Sequence, residues 1–234
     1  MKIKWMVPIL IAAAVLTACA PTASAPLETA ASPETEPVSI ATEAVVSTPT
    51  PDSQTTEEGL TYMREEEKLA HEVYVFLYDK WGMQIFQNIA ASEQTHTDAV
   101  KSLLDAHNLP DPAAEAQPGQ FTNANLQALY DQLTAQGSLS LDDALKVGAA
   151  VGEIDILDLQ ARLADDLPAD VRLVYENLLS GSYNHLAAFT SSLLRQTGET
   201  YAPQYMTLEA YQQALNLANA GGNGNGNGYH GGRP

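Results

Sequence analysis

A single cysteine, Cys19, in a chain of 234 residues leaves no partner for an internal disulfide, so structural support must come from packing or from a metal. Basic residues are also scarce. Eleven Lys and Arg (11) against 29 Asp and Glu give a formal charge of -18, which repels phosphates and anionic lipid heads and excludes nucleic acid as a partner. No Lys or Arg occurs between Lys4 and Arg64, whereas Glu28, Glu34, Glu36, Glu43, Asp52, Glu57 and Glu58 all do. No G-x-S-x-G, P-loop or dinucleotide fingerprint appears, so nucleophile catalysis and nucleotide binding have no support. No stretch alternates with period two for long enough to suggest a strand.

What the chain does have is 45% hydrophobic residues, enough for one sizeable core with appendages. Its first nineteen residues, "MKIKWMVPILIAAAVLTAC", carry two lysines, an apolar run from Trp5 to Leu16 and then small residues, the pattern of a secretory signal too short to span a bilayer comfortably. The ending Leu16-Thr17-Ala18-Cys19 resembles the lipobox of bacterial lipoproteins. That resemblance implies an exported protein anchored through lipidated Cys19 at the cell membrane or in the periplasm. "ACA" at 18–20 also fits ordinary signal cleavage.

Residues 20–56 are rich in Ala, Pro, Ser, Thr and Glu and cannot bury enough apolar surface to offset their ordering entropy, which predicts a disordered linker. Residues 221–234 form a Gly/Asn-rich tail predicted to be disordered as well; His230 lies in it. The domain is expected over 57–220.

Within it, apolar residues recur at three and four, the helical period, and the fold class is all-α. Helix one is predicted from about Glu58 to Trp81, stopped by Gly82, and helix two from about Met83 to His107, stopped before "NLPDP". A shorter helix follows at 123–136. Helix three starts after Ser140 and reaches Ala164; helix four starts after Pro168 and ends near Gly198; a last short helix spans about 208–219. Short turns join one to two and three to four, while a long stretch separates two from three. Two antiparallel hairpins joined by a long crossover describe a four-helix bundle of the ferritin-like kind.

Ionisable residues interrupt the apolar stripes near mid-helix: Glu67 in helix one, Glu93 and His96 in helix two, Glu153 in helix three and His185 in helix four. Glu93 and His96 sit about 60° apart around the axis, so both can reach one ion. A buried carboxylate costs several kcal/mol, or takes up a proton, unless a cation shares it. Carboxylate and imidazole donors suit iron, manganese or zinc. Without an ion, the five residues would form a buried polar network in a helical module serving structure or interaction in the cell envelope. Glu65 and Glu66 with Lys68 read as a solvated face, and His71 as an exposed residue with a lesser claim to ligation.

The stretches "REEEKLAHEVY", "FQNIAASEQTH", "AVGEIDILDL" and "SGSYNHLAAF" resemble the ferritin-like superfamily, in particular its rubrerythrin-related branch and an uncharacterised group of bacterial and archaeal ferritin-like domains. The resemblance covers residues 60–196. It implies Glu67, Glu93, His96, Glu153 and His185 as metal ligands, with Glu93 and Glu153 bridging and the histidines terminal, and an iron-based ferroxidase or peroxidase activity. One position departs: Ser182 stands where the fourth helix should carry a glutamate three residues before its histidine. Asp155 points away from Glu153 and Glu176 lies on another face, so neither reads as a substitute, and a single ion, an asymmetric pair completed by water, or no ion at all stay open in place of a full two-ion centre. A homodimer stays open, and no further protein partner is indicated.

Overall fold

The computed structural model describes residues 55–222, all within one compact unit spanning Pro49–Pro234. Cys19, most of the linker and His230 lie outside the described residues. The described chain is all-helical, with six helices and no strand: α1 Thr56–Trp81, α2 Gln84–Ala106, α3 Ala124–Gly137, α4 Leu141–Leu163, α5 Ala169–Thr197 and α6 Leu208–Gly222. None of these helices is long and apolar enough to cross a membrane.

Local chemistry fixes the ends. α1 starts two residues earlier than its apolar period suggests because Thr55 and Glu58 close a reciprocal capping box: Glu58 N–H donates to Thr55 Oγ1 and Thr55 N–H donates to the Glu58 carboxylate. It ends at Gly82, whose φ of 66° is the left-handed cap that an L side chain disfavours. Ser140 caps α4 by accepting from Asp143 N–H at 3.0 Å.

α1 packs on α2, α4 on α5, and the two pairs meet through α1 with α4 and α2 with α5. α3 covers α1 and α4, and α6 lies along α5. The order of buried residues gives the directions. One apolar cluster contains Leu60 and Met63 of α1, Val100 and Leu104 of α2, Leu159 of α4 and Val171 and Leu178 of α5. The other contains Leu69 and Val73, Phe86 and Ile89, Leu145 and Val151, and Leu186 and Phe189. α1 and α5 thus run from the first cluster to the second, and α2 and α4 run the opposite way. The four packed pairs among these helices are therefore antiparallel, and burial of each large apolar side chain contributes about 1.5–3 kcal/mol.

Between the two clusters, each helix passes through a polar layer: Glu66 and Glu67, then Glu93 and His96, then Asp155, then Ser182 and His185, all buried. The long α2–α4 connection is held down by the charged run of α1. Arg64 pairs with Asp111 at 3.1 Å, and Glu65 accepts Asn123 N–H at 3.0 Å as well as Thr122 N–H. Lys68 donates to Gln120 O at 3.0 Å, and Glu72 accepts Gly119 N–H at 2.6 Å. Glu65 and Lys68 are consequently buried, and Glu66 is buried in the polar layer. The expected solvated face does not exist, because the crossover lies across it and supplies backbone partners that sequence spacing does not reveal.

Candidate metal centre

Glu93 is the hub of the polar layer. One carboxylate oxygen lies 2.7 Å from His185 Nδ1 and the other 2.8 Å from His96 Nδ1, while His96 Nδ1 is also 3.3 Å from Glu67 Oε2. The two imidazole rings stack with centroids 5.4 Å apart. His185 Nε2 sits 3.0 Å from Ser92 Oγ, which orients the ring from behind. Gly181 allows the close approach of α5 to His96: a Cβ at that position would stand 2.6 Å from His96 Nε2.

These are charge contacts without aligned hydrogen bonds. Both oxygens of Glu67, Glu93 Oε2, His96 Nδ1 and His185 Nδ1 are buried and make no hydrogen bond of good geometry, although they stand within ion-pair reach of one another. Buried polar atoms are rarely left so. Donors at right angles around an ion with bonds of about 2.1 Å lie about 3.0 Å from one another. The separations from 2.7 to 3.3 Å fit that edge length and equally the contacts of a histidine–carboxylate ion pair.

Electrostatics follow from burial and pairing. Burial pushes Glu93 upward, but His185 and then His96 outweigh it and bring the carboxyl down to about 2. His96 is lowered by burial yet carried up to about 11 by Glu67 and Glu93. Glu67 goes up to about 7, chiefly through burial and despite His96. Burial raises Glu66 and Asp155 well above the carboxylate range, with neighbouring carboxylates adding to it.

These directions set a pH dependence for chelator-treated protein. An acid raised to about 7 keeps its proton better in the folded chain, so the Glu67 contribution is fully present below about pH 4.5 and is lost as pH rises through 7. Its size is roughly 3 kcal/mol. The contribution of His96 is complete below about pH 6.5 and disappears toward pH 11, while that of Glu93 is lost only as pH falls toward 2. Metal-free protein should therefore be most stable near pH 5 and lose roughly 5–10 °C of Tm by pH 8. Thermal melts in EDTA across pH 4–9 read this directly; a Tm that is flat or rises from pH 5 to 8 would contradict the assignment.

Of the expected ligands, Glu67, Glu93, His96 and His185 come together. Glu153 does not join them. It is fully buried, but its carboxylate accepts the backbone N–H groups of Gln204 at 3.1 Å, Tyr205 at 2.6 Å and Met206 at 2.8 Å. It anchors the segment before α6, and the expectation that it bridges ions is corrected accordingly. Two positions further, about 200° around the helix, Asp155 enters the layer instead. It contacts the Ser182 hydroxyl, which also lies 2.8 Å from Leu178 O. Glu66 joins from α1. Spacing on α4 offered both acids, and only the depth of the 204–206 segment distinguishes them. His71 is spent elsewhere, its Nδ1–H donating to Ala90 O at 2.8 Å. Tyr74 reaches no carboxylate; its hydroxyl donates to Gly148 O at 3.1 Å.

Three comparisons bear on identity. An archaeal relative, "Uncharacterized protein MJ0754" of Methanocaldococcus jannaschii, is 48% identical over 165 residues, covering 70% of this chain and 89% of the relative. The crystal structure of the hypothetical protein MJ0754 from Methanococcus jannaschii superposes with a TM-score of 0.67 at 47% identity, covering 71% of this chain and 95% of that one. Residues 56–218, all six helices but for the last turn of α6, match the family described as "Uncharacterized protein domain (DUF2202)", and the chain belongs to that family.

Proposed function

We propose that α1, α2, α4 and α5 form a ferritin-like four-helix bundle whose polar layer binds a divalent metal ion through Glu67, Glu93, His96 and His185. One observation carries the reading: Glu67, Glu93 and His96, all buried, each place one ligand atom within 4.8 Å of the others, and His185 Nδ1 stands 2.7 Å from the second oxygen of Glu93. Their mix of carboxylate and imidazole favours iron, manganese or zinc over copper(I), and iron is the ion that the ferritin-like resemblance implies. Bound iron supplies one-electron chemistry toward oxygen or peroxide. The chain's part is to fix the ligand geometry, with Ser92 orienting His185 and Gly181 admitting His96.

The lipobox-like ending at Cys19 supports anchoring at a membrane, with residues 20–56 as the tether and the helical domain acting outside the cytoplasm. Intact-mass analysis of the membrane fraction tests it: a mature chain starting at diacylated Cys19 is expected, and an unlipidated chain would refute it.

A metal-free envelope module is the competing reading, favoured by the two histidines that already neutralise Glu93. Protein purified from iron-supplemented medium decides between them. Wild type should retain iron by elemental analysis, His96→Ala should not, and added Fe(II) should raise the Tm of stripped wild type alone. Equal metal content and equal melting in both proteins would leave the polar network as the function of these residues.

A further inference from the structure

A cleft of about 280 Å³ opens between α1, Pro118 of the crossover and Tyr130 of α3, and none of its lining residues belongs to the polar layer. The wall opposite α1 is firmly held. Glu72 accepts Gly119 N–H at 2.6 Å and pairs with Lys68 at 2.8 Å, which ties the crossover to α1. Gly119 has a φ of 76° and packs so close to Tyr130 that a Cβ would stand 3.2 Å from the ring, while Phe121 lies against the same ring with centroids 5.3 Å apart.

The α1 wall has an order of its own. His71, Val75 and Asp79 line it at four-residue steps, along one face of the helix over about 12 Å. At one end His71 donates its Nδ1–H to Ala90 O, so its second nitrogen, Nε2, is a hydrogen-bond acceptor. At the other end Asp79 is exposed and forms no hydrogen bond or ion pair with any described residue, and the neighbouring Lys80 lies over the Trp81 ring instead. Between the two acceptors the surface is apolar: Val75 is 38% exposed and Phe76 is half-buried beside it.

An acceptor, an apolar middle and a second acceptor, on a chain of formal charge -18, complement a cation that donates from both ends of a hydrocarbon chain. We propose that this cleft binds a short aliphatic diamine in its diammonium form, with one nitrogen on the Asp79 carboxylate, the other on His71 Nε2, and the carbon chain between Val75, Phe76 and the Tyr130 ring. An anion would meet acceptors at both ends. A monoamine would satisfy only one of them, and two helical turns keep the pair too far apart to share one metal ion. The volume lies just under the range of about 300–1,000 Å³ for drug-sized ligands, as a body this small requires.

Titration of 15N-labelled full-length protein with 1,5-diaminopentane, at about 0.1 M salt so that charges more than about 10 Å apart are screened, tests the site. Saturable amide shifts are expected at 71–79, 119 and 130. Asp79→Asn should weaken binding about tenfold, and 1-aminopentane should bind wild type about tenfold more weakly than the diamine, each losing one charge-assisted contact. Glu209→Gln, which removes an exposed acid on α6, should leave the Kd within about twofold. Equal weakening by Asp79→Asn and Glu209→Gln, equal affinity for the monoamine and the diamine, or the absence of saturable shifts at these positions would each overturn the proposal.

Discussion

Glu153→Ala should free the C-terminal segment from the helical core while leaving metal content at the wild-type value. The three amides of Gln204, Tyr205 and Met206 converge on this one carboxylate, and charge-assisted hydrogen bonds contribute about 1.5–3 kcal/mol each before non-additivity. Truncation leaves those amides without an acceptor and opens a space beneath Tyr201 and Met206, both buried. A loss of about 3–5 kcal/mol follows. Much of it should be local. Hydrogen exchange should accelerate over 199–220, and proteases should cut between α5 and α6 at concentrations that spare wild type. If instead metal content falls and exchange in that segment is unchanged, Glu153 belongs to the metal centre after all.

The second large effect is expected at Glu93. Alanine there removes the counter-charge of His96 and His185 together, and breaking a buried pair from one side typically costs 3–5 kcal/mol. His96 can shed its proton, which moderates the loss to about 3 kcal/mol in metal-free protein. The spectroscopic consequence is sharper. His96, held up to about 11 by Glu67 and Glu93, should titrate well below that value in Glu93→Ala, followed by the imidazole proton resonance across pH 5–11. Iron retention should be lost. A stable variant with the His96 titration unmoved would show that Glu93 is not its partner.

The helices were legible because their signals are local. Gly82, Ser140, Pro168 and Gly198 punctuate the chain where the helical period changes, and each stands at or beside an observed boundary. Glu93 and His96 were legible because α2 has one buried face, against which an ionisable pair stands out. α4 offers no such contrast. From Ala144 to Asp155 nearly every residue is buried, since α1, α3 and α5 all pack on this helix. A stripe cannot be read on a helix with no wet side, so the spacing that favoured Glu153 over Asp155 did not show that Glu153 turns to the 204–206 segment and Asp155 to the polar layer. Glu66 was lost for a related reason: in "REEEK" the alternation of partners depends on a crossover dozens of residues away. The role of Ser182 was invisible because it acts on an aspartate from another helix.

The charged run of α1 also sets a limit on what insertions or deletions this family can tolerate. Arg64, Glu65, Lys68 and Glu72 grip the crossover, while Glu66 and Glu67 sit in the polar layer, all within nine consecutive positions. Adding or removing one residue before this stretch, with the ends of the helix held, rotates it by about 100°. Arg64 or Lys68 would then turn toward the layer and the glutamates toward the loop, so that one indel would place a cation in the polar layer and undo the clamp at the same stroke. Length changes in related chains should therefore collect in the turns and in 108–123, and be absent from 64–72.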